Sequence, residues 1–256
     1  MKIFRNFFSL LLIFTCLCGS VSFAAAVQVK VGATEFPPYI KIDKDGRVTG
    51  IIVEVLAYLN SIQGKYKFVA IPASAMRRHT DFKNKVFDVS FFDNVEWGWD
   101  KTQVDVSDVF MRGKEVYIAL EKPGRNEDYF SDFTNKTMVG MLGYHYGFAN
   151  FNSDPEFLRK KYRMQLTSSN NGSIEMILDG RGDIAIVSDA FLNWYLLTHP
   201  ARRRILISKR IDQPYLHTVI VRKGLKPTTH EINGYLKQFR QSKEFERIVN
   251  RYGVTP

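Results

Sequence analysis

Between residues 27 and 92 the hydrophobic pattern switches repeatedly between period two and the helical period, and this alternation restricts the fold more than any other feature of the chain. Val27, Val29 and Val31 alternate with Gln28, Lys30 and Gly32, the period of a half-buried strand. A turn-rich hairpin, "KDGRVTG" (44–50), follows, and then Ile52, Val55, Leu56 and Leu59 recur at helical spacing until Gly64 stops the helix. "YKFVAI" (66–71) is again a strand, Ser74 can cap a short helix to about Lys83, and "FDVSFF" (87–92) is a short apolar strand. Strand, helix, strand, helix, strand predicts a parallel sheet with covering helices.

"EVYIALEKPGRNED" (115–128) ends that run, because a strand enters a charged Pro-Gly loop that reads as a crossing between lobes. A second set begins at "KTMVGMLGYHYG" (136–147), with a strand to Met141, a Gly-rich turn and a helical stretch from about Phe148. "MQLTSS" (164–169) is a strand, "SIEMILDG" (173–180) a short helix, "DIAIVSD" (183–189) a strand and "AFLNWYLL" (190–197) a helix. "LHTVIVRKG" (216–224) is a strand that crosses back. In the tail, Thr228 with Glu231 fits a capping box ahead of the stripe Ile232, Leu236 and Phe239, and Ser242 starts a last helix that Gly253 ends. A tail packed on the first unit makes two α/β lobes joined by two crossings.

The 256 residues, 45% hydrophobic, suffice for an ordinary globular core. Residues 1–24 are expected to be a cleavable export signal. Lys2 and Arg5 precede an apolar run from Phe7 to about Cys18, and Ser22 and Ala24 fit the small-x-small cleavage rule, with cleavage after Ala26 the alternative. That run is shorter than the ~20 residues a membrane span needs. Both cysteines, Cys16 and Cys18, lie in this leader, so the exported chain is expected to have no disulfide, thiol nucleophile or Cys-based metal site. Losing Lys2 and Arg5 lowers the formal charge from +10 to +8. The basic residues are spread, apart from the run Arg202, Arg203 and Arg204, which reads as a solvated face rather than a nucleic-acid surface.

In their order and spacing, "VGATEFPPYI" (31–40), "GRVTGIIVEVLAYL", "KNKVFDVSFF", "VDVSDVF", "KTMVGMLGYHYG", "SIEMILDGRGDIAIVSD" and "YLKQFRQSKEFERIVNRYG" resemble the extracytoplasmic solute-binding proteins of the amino-acid-binding type, over essentially all of 27–253. The resemblance implies an α/β, two-lobed periplasmic-binding-protein-like fold. Each lobe would be a mostly parallel sheet flanked by helices, with two crossing hinge strands and a cleft that closes on a small ligand. It implies a first lobe of 25–118 and 215–256 and a second of 119–214. It implies a periplasmic monomer that is not an enzyme, with a membrane permease or sensor receptor as partner and no nucleic acid. A few relatives of the fold are dehydratases acting on prephenate-like acids, which keeps a dehydratase-like enzyme as the alternative.

The chain departs from the family at one place. Amino-acid binders carry a Thr and then an Arg after the "FDVSFF"-like strand, the Arg forking onto the ligand carboxylate. Here "DNVEWGWDKTQVDVSD" (93–108) places Asp100 and Lys101 where that Arg is expected. Arg77 or Arg78 could replace it, since a guanidinium binds a carboxylate through two parallel bonds; Arg77 is preferred, the other reading being a solvated helix face. Arg77→Ala is accordingly expected to weaken binding more than Arg204→Ala in calorimetric titration.

The remaining candidates stand at strand ends, where α/β folds place ligands. Glu35, Phe36 and Tyr39 sit on the stiff Pro37-Pro38 turn as cleft-rim residues or, for the two rings, as core plugs. Asp93, Asn94 and one of Trp97 and Trp99 can grip an amine or a ring, Trp97 being preferred. Tyr144 in "GYHYG" can line the cleft ahead of a helix start able to receive an anion. Asp189 either meets a ligand amine or simply opens a helix. Asn170 and Asn171 cap the next helix or reach the ligand, capping being the simpler reading. The five histidines show no close metal-ligand spacing, and there is no nucleophile elbow or phosphate loop, so no metal, cofactor or catalytic residue is expected.

Overall fold

The computed structural model describes residues 25–199 and 204–254. The export-signal expectation for 1–24, and Arg202 and Arg203, lie outside the described residues. The opening strand β1 (Val27–Thr34) leads through a small hairpin, β2 (Lys41–Ile42) and β3 (Val48–Thr49), into α1 (Ile51–Ser61), then β4 (Tyr66–Ala73), α2 (Arg78–Lys83), β5 (Val89–Asp93) and β6 (Val104–Val106). The long strand β7 (Met111–Leu120) carries the chain to β8 (Met138–Met141), α3 (Pro155–Tyr162), β9 (Gln165–Thr167), α4 (Asn170–Leu178), β10 (Ile184–Ser188) and α5 (Asp189–Thr198). The longer strand β11 (Ile205–Arg222) brings it back to α6 (Thr229–Arg240) and α7 (Lys243–Tyr252).

Among the described residues one sheet runs β4-β1-β5-β11-β7-β10-β8-β9, with β6 also on β11. Its two ends are parallel triplets, β4-β1-β5 and β10-β8-β9, and the strands between them are antiparallel. The fold is α/β and two-lobed, each triplet forming one lobe with its helices. In the first, Val31, Leu56, Phe68 and Phe91 share a core with Phe239 and Ile248 of the tail helices. In the second, β10 is covered on both faces, as a parallel interior strand should be. Ala185 and Val187 face Ile177 and Phe191, while Ile184 and Ile186 face Leu158 and Met164.

Three expectations change in detail. β11 begins at Ile205, not 216, and its first half hides from pattern reading because charged, exposed residues and Pro214 interrupt it. It is nonetheless paired to β7 from Ile205 to His217, and at Thr218 it changes neighbour to β5. Ser74 does not cap α2. Its carbonyl accepts the Arg77 N–H at 3.1 Å to close a turn, so the helix starts only at Arg78. The helical stretch from Phe148 is one 3-10 turn, Gly147–Ala149, and the true helix waits for Asp154, which caps Pro155–Tyr162. The capping box at Thr228 forms as expected, Glu231 accepting the Thr228 N–H at 2.9 Å.

Gly32 is a packing requirement of the first lobe, since a Cβ there would lie 2.5 Å from the Phe87 ring. Gly32→Ala should lower unfolding stability by about 1–3 kcal/mol, the usual cost of overpacking a filled core, measurable by urea denaturation.

Candidate functional site

The seam between the lobes holds a cavity walled by Glu35, Phe36, Arg78, Asp93 and Trp97 from the first lobe, Tyr144 and His145 from the second, and Glu115, Gln213 and Tyr215 from the strands that join them. The chain puts Glu35 and Phe36 there by closing the Pro37-Pro38 turn tightly, with Phe36 and Ile40 exchanging both backbone bonds at 2.8 and 3.0 Å. Phe36 then meets Trp97, Tyr144 and Tyr215 edge-on at centroid distances of 6.2, 6.0 and 5.4 Å. The lobes are in contact here, the Tyr144 hydroxyl donating to the Glu35 carbonyl oxygen at 3.0 Å. The void measures about 40 Å³. That is room for roughly three waters at ~10–15 Å³ each.

Gln213 ties the site together. It lies opposite Glu115 in the β7–β11 ladder. Its Nε2 donates to Glu115 Oε2 at 2.7 Å and to the His145 carbonyl oxygen at 2.6 Å, and its Oε1 accepts the Trp97 indole N–H at 3.0 Å. One amide thus reaches both lobes and the strand between them. Glu115 is fully buried, and burial first, then the charge of Asp212, push its carboxyl up to about 8 against the pull of Tyr215 and Gln213 hydrogen bonds.

Arg78 is the cation of the seam, 8% exposed. Its Nη2 donates to the Trp97 carbonyl oxygen at 2.8 Å and meets His145 Nδ1 at 3.3 Å, and its Nε donates to His79 Nε2 at 3.2 Å. Both ring nitrogens act as acceptors, so both imidazoles are neutral. Burial, then the Arg78 charge, lower His79 to about 4 and His145 to about 3.

The sequence-expected residues divide. Glu35, Phe36, Asp93, Trp97 and Tyr144 come together on this wall. Asp93 is already engaged, accepting from Ser90 Oγ, the Asn94 N–H and the Trp99 indole at 2.8, 2.8 and 2.9 Å. Arg77 does not reach the cavity: it is exposed at the start of α2, and the helical turn directs its neighbour Arg78 inward. Tyr39 is a core plug, fully buried against Phe92 and His217. Asn94 is used in the local turn, accepting the Glu96 N–H. Asp189 starts α5, where it accepts the N–H groups of Ala190 at 2.8 Å and Lys114 at 3.3 Å. The anion site expected after "GYHYG" is filled from within: Gly147 and Phe148 donate to Asp212 at 2.6 and 2.9 Å. The cap of α4 is Ser169, not Asn170.

Sequence reasoning missed Glu115, Gln213 and Tyr215. An acid opening the apolar run "EVYIAL" was a signal for the first, whereas the other two lie in the half of β11 that has no strand pattern.

Residues 29–255 match the profile of the bacterial extracellular solute-binding proteins, family 3. Among solved structures, the chain is similar to an ABC uptake transporter substrate-binding protein from Streptococcus pneumoniae with bound histidine (TM-score 0.70, 16% identity, 88% of this chain and 92% of that one). It is similar to a mutant of ArgBP from T. maritima (0.67, 17%, 88% and 94%) and to an ancestral amino-acid-binding protein described as a precursor of cyclohexadienyl dehydratase (0.66, 16%, 88% and 94%). No curated protein matches the chain by sequence.

The buried acid and the buried imidazoles give opposite pH dependences. Folding keeps Glu115 protonated up to about pH 8, so its favourable contribution is complete below the ordinary carboxyl value of 4.5 and is lost as pH rises from there to 8. The histidines favour the fold above their ordinary 6.5 and cease to do so as pH falls below it. Glu115→Gln should therefore melt higher than the wild type at pH 8 and converge with it at pH 4, as followed by circular dichroism.

Proposed function

The chain belongs to the bacterial extracellular solute-binding proteins, family 3, and from that premise we propose that it binds a small polar solute bearing a carboxylate or amine in the cleft between its lobes. The observation that carries this reading is Arg78, a buried guanidinium on the wall of an interlobe cavity, beside the segment that lacks the family's carboxylate-binding Arg. Its hydrogen-bond partners here are a carbonyl oxygen and two neutral imidazole nitrogens, and the Asp93 carboxylate stands 3.9 Å from its Nη1. A ligand carboxylate at hydrogen-bond distance would be a stronger partner than any of these, since charge-assisted bonds are roughly twice as strong as neutral ones. The rings of Phe36, Trp97 and Tyr144 supply the apolar wall that ligand pockets combine with a few polar groups.

The mechanism is binding with closure. The contacts of Tyr144 with Glu35, and of His145 with Arg78, belong to a closed arrangement with too little room for an amino-acid-sized guest. The lobes, taken as 25–118 with 215–256 and as 119–214, part to load the solute, which then stabilises closure by contacts made only in the closed state. The loaded form is delivered in the periplasm, after removal of the leader, to an ABC permease or a membrane sensor, with the protein acting as a monomer. One feature favours the second reading, a dehydratase-like enzyme. Glu115 is a protonated acid on the cavity wall, the form a general acid needs. Turnover of a cyclic carboxylic acid would select that reading, and retention of an unchanged ligand the first.

A thermal-shift screen of the exported chain against amino acids, small acids, polyamines and short peptides should find a ligand that raises the melting temperature by mass action. Titration with that ligand should show Arg78→Ala and Arg78→Lys binding roughly 10- to 100-fold more weakly, as loss of bonds to a charged group predicts, with the exposed Arg204→Ala unchanged. Equal affinities across the series would remove Arg78 from the site.

A further inference from the structure

Beside the inner cavity lies an outer space of about 360 Å³, between Met76 and His79 of the first lobe and Asn152 and Ser153 of the second. Ala75, Gly143 and His145 belong to its wall and to the wall of the inner void alike. His145 therefore stands where the two spaces adjoin, and it is half-buried rather than sealed.

Arg78 sits between two imidazoles carried by opposite lobes, whose ring centroids are 6.1 Å apart. His79 is its neighbour in sequence and moves with it, so their contact is the same whether the lobes meet or part. His145 comes from the second lobe. Its Nδ1 lies 3.3 Å from Arg78 Nη2 and acts there as the acceptor, because a guanidinium has donors only. The Nε2 edge is closed by Gly98 of the first lobe, where an added Cβ would stand 3.1 Å away. The main chain is held too, the His145 carbonyl oxygen accepting from Gln213 at 2.6 Å. A second proton on this ring would set donor against donor and cation against cation, with little room to withdraw while the lobes are closed.

The surrounding ionisable groups do not offset that repulsion. Asp93 is engaged by three donors and stands 3.9 Å from Arg78 Nη1. In the Gly98 loop, Glu96 pairs with Lys101 at 2.6 Å. On the second lobe, Asp154 caps α3 by accepting the Phe157 N–H at 2.7 Å, and the Tyr144 hydroxyl donates to the Glu35 carbonyl oxygen. On the joining strands, Asp212 is taken by Gly147 and Phe148, and Glu115 lies beyond Gln213 and is protonated. Burial raises the Glu35 carboxyl on the first turn.

We propose that His145 is a positioning residue that lets the lobes close on Arg78 only as the neutral imidazole, so that acid parts the lobes and opens the outer space into the inner one. This rests on the proposed closure of the lobes and names how that closure is regulated. When the lobes part, the ring faces water and titrates near its ordinary 6.5, whereas in the closed form burial, then the charges of Arg78 and His79, lower it to about 3. Closure is therefore favoured above 6.5 and loses ground as pH falls below it. One such proton makes the closed-to-parted ratio roughly tenfold lower at about pH 5.5 than at about pH 7.5. Glu115 works in the opposite sense, because parting wets a carboxyl that the closed form keeps protonated up to about 8.

The test removes that opposing group with Glu115→Gln and adds no solute. Spin labels on the exposed Lys44→Cys and Lys160→Cys, one on each lobe, read the interlobe distance in an exported chain expected to carry no other cysteine. From about pH 7.5 to 5.5 the short-distance population should fall roughly tenfold relative to the long one. His145→Gln, which keeps an acceptor but cannot take the proton, should reduce this fall to less than about twofold. His145→Lys, a cation at both pH values, should hold the lobes apart at both. Should His145→Gln fail to fold, as its melting curve would reveal, His145→Lys still decides, and closed lobes in that variant would overturn the inference. A ratio independent of pH, or a fall that persists in His145→Gln, would overturn it and leave closure standing. A single distance in every variant and at every pH would overturn the closure mechanism along with it.

Discussion

Everything that makes this chain two lobes around a seam depends on the antiparallel pairing of β7 with β11. These strands face each other from Ile205 opposite Leu120 to His217 opposite Met111, and each also pairs with one lobe's triplet. A hydrogen-bonded ribbon resists shear along its length but bends more readily than a packed core, so it can hold two lobes in register while letting them part. Glu115 and Gln213 mark the place on that ribbon where the lobes come together. Cross-strand neighbours interact as a pair, and here the pair is polar, fully buried and satisfied. Gln213 also receives the Trp97 indole N–H and donates to the His145 carbonyl oxygen, so one amide joins both lobes to the strand pair.

Much of the seam is built from neutral polar groups and aromatic rings, around a buried ion pair of Arg78 and Asp93 at 3.9 Å. This follows from the cost of burying charge, which a site avoids by neutralising what it can. Glu115 keeps its proton, His79 and His145 stay unprotonated, and Asp93 is wrapped by three donors. Asp212 follows the same logic, occupying the N–H groups of the 3-10 turn that would otherwise bind a foreign anion.

The lobes' outer halves were legible in the chain. β1, α1, β4, β5, β8 and β10 each bury one face or both, so their apolar residues recur at the periods that pattern reading detects. The C-terminal helices announced themselves through Thr228 and Ser242, whose caps form as the spacing implied. The joining strand was only half legible. From Thr218 to Val221 it is an apolar interior strand, but before that it runs through "SKRIDQP", exposed on much of its length, where neighbours rather than burial hold it extended. Gln213 and Tyr215 were invisible for this reason. The seam residues that could be named, Phe36, Trp97 and Tyr144, stand on turns directly after strands; Arg77 and Arg78 could not be separated because the phase of a six-residue helix depends on where its first turn closes.

By itself, then, the order of periods along the chain determined an α/β protein of two similar halves, with strand-end turns rich in rings and acids. Those properties are local, since each is a matter of which side of one element is greasy and where that element stops. The tertiary structure decided which of two adjacent arginines turns inward, that Tyr39 fills the core while Phe36 borders the void, and that an acid on β7 and an amide on β11 meet. Such matters depend on pairing between segments about a hundred residues apart, and no local pattern encodes them, because the free energy that selects them arises only when both partners leave water together.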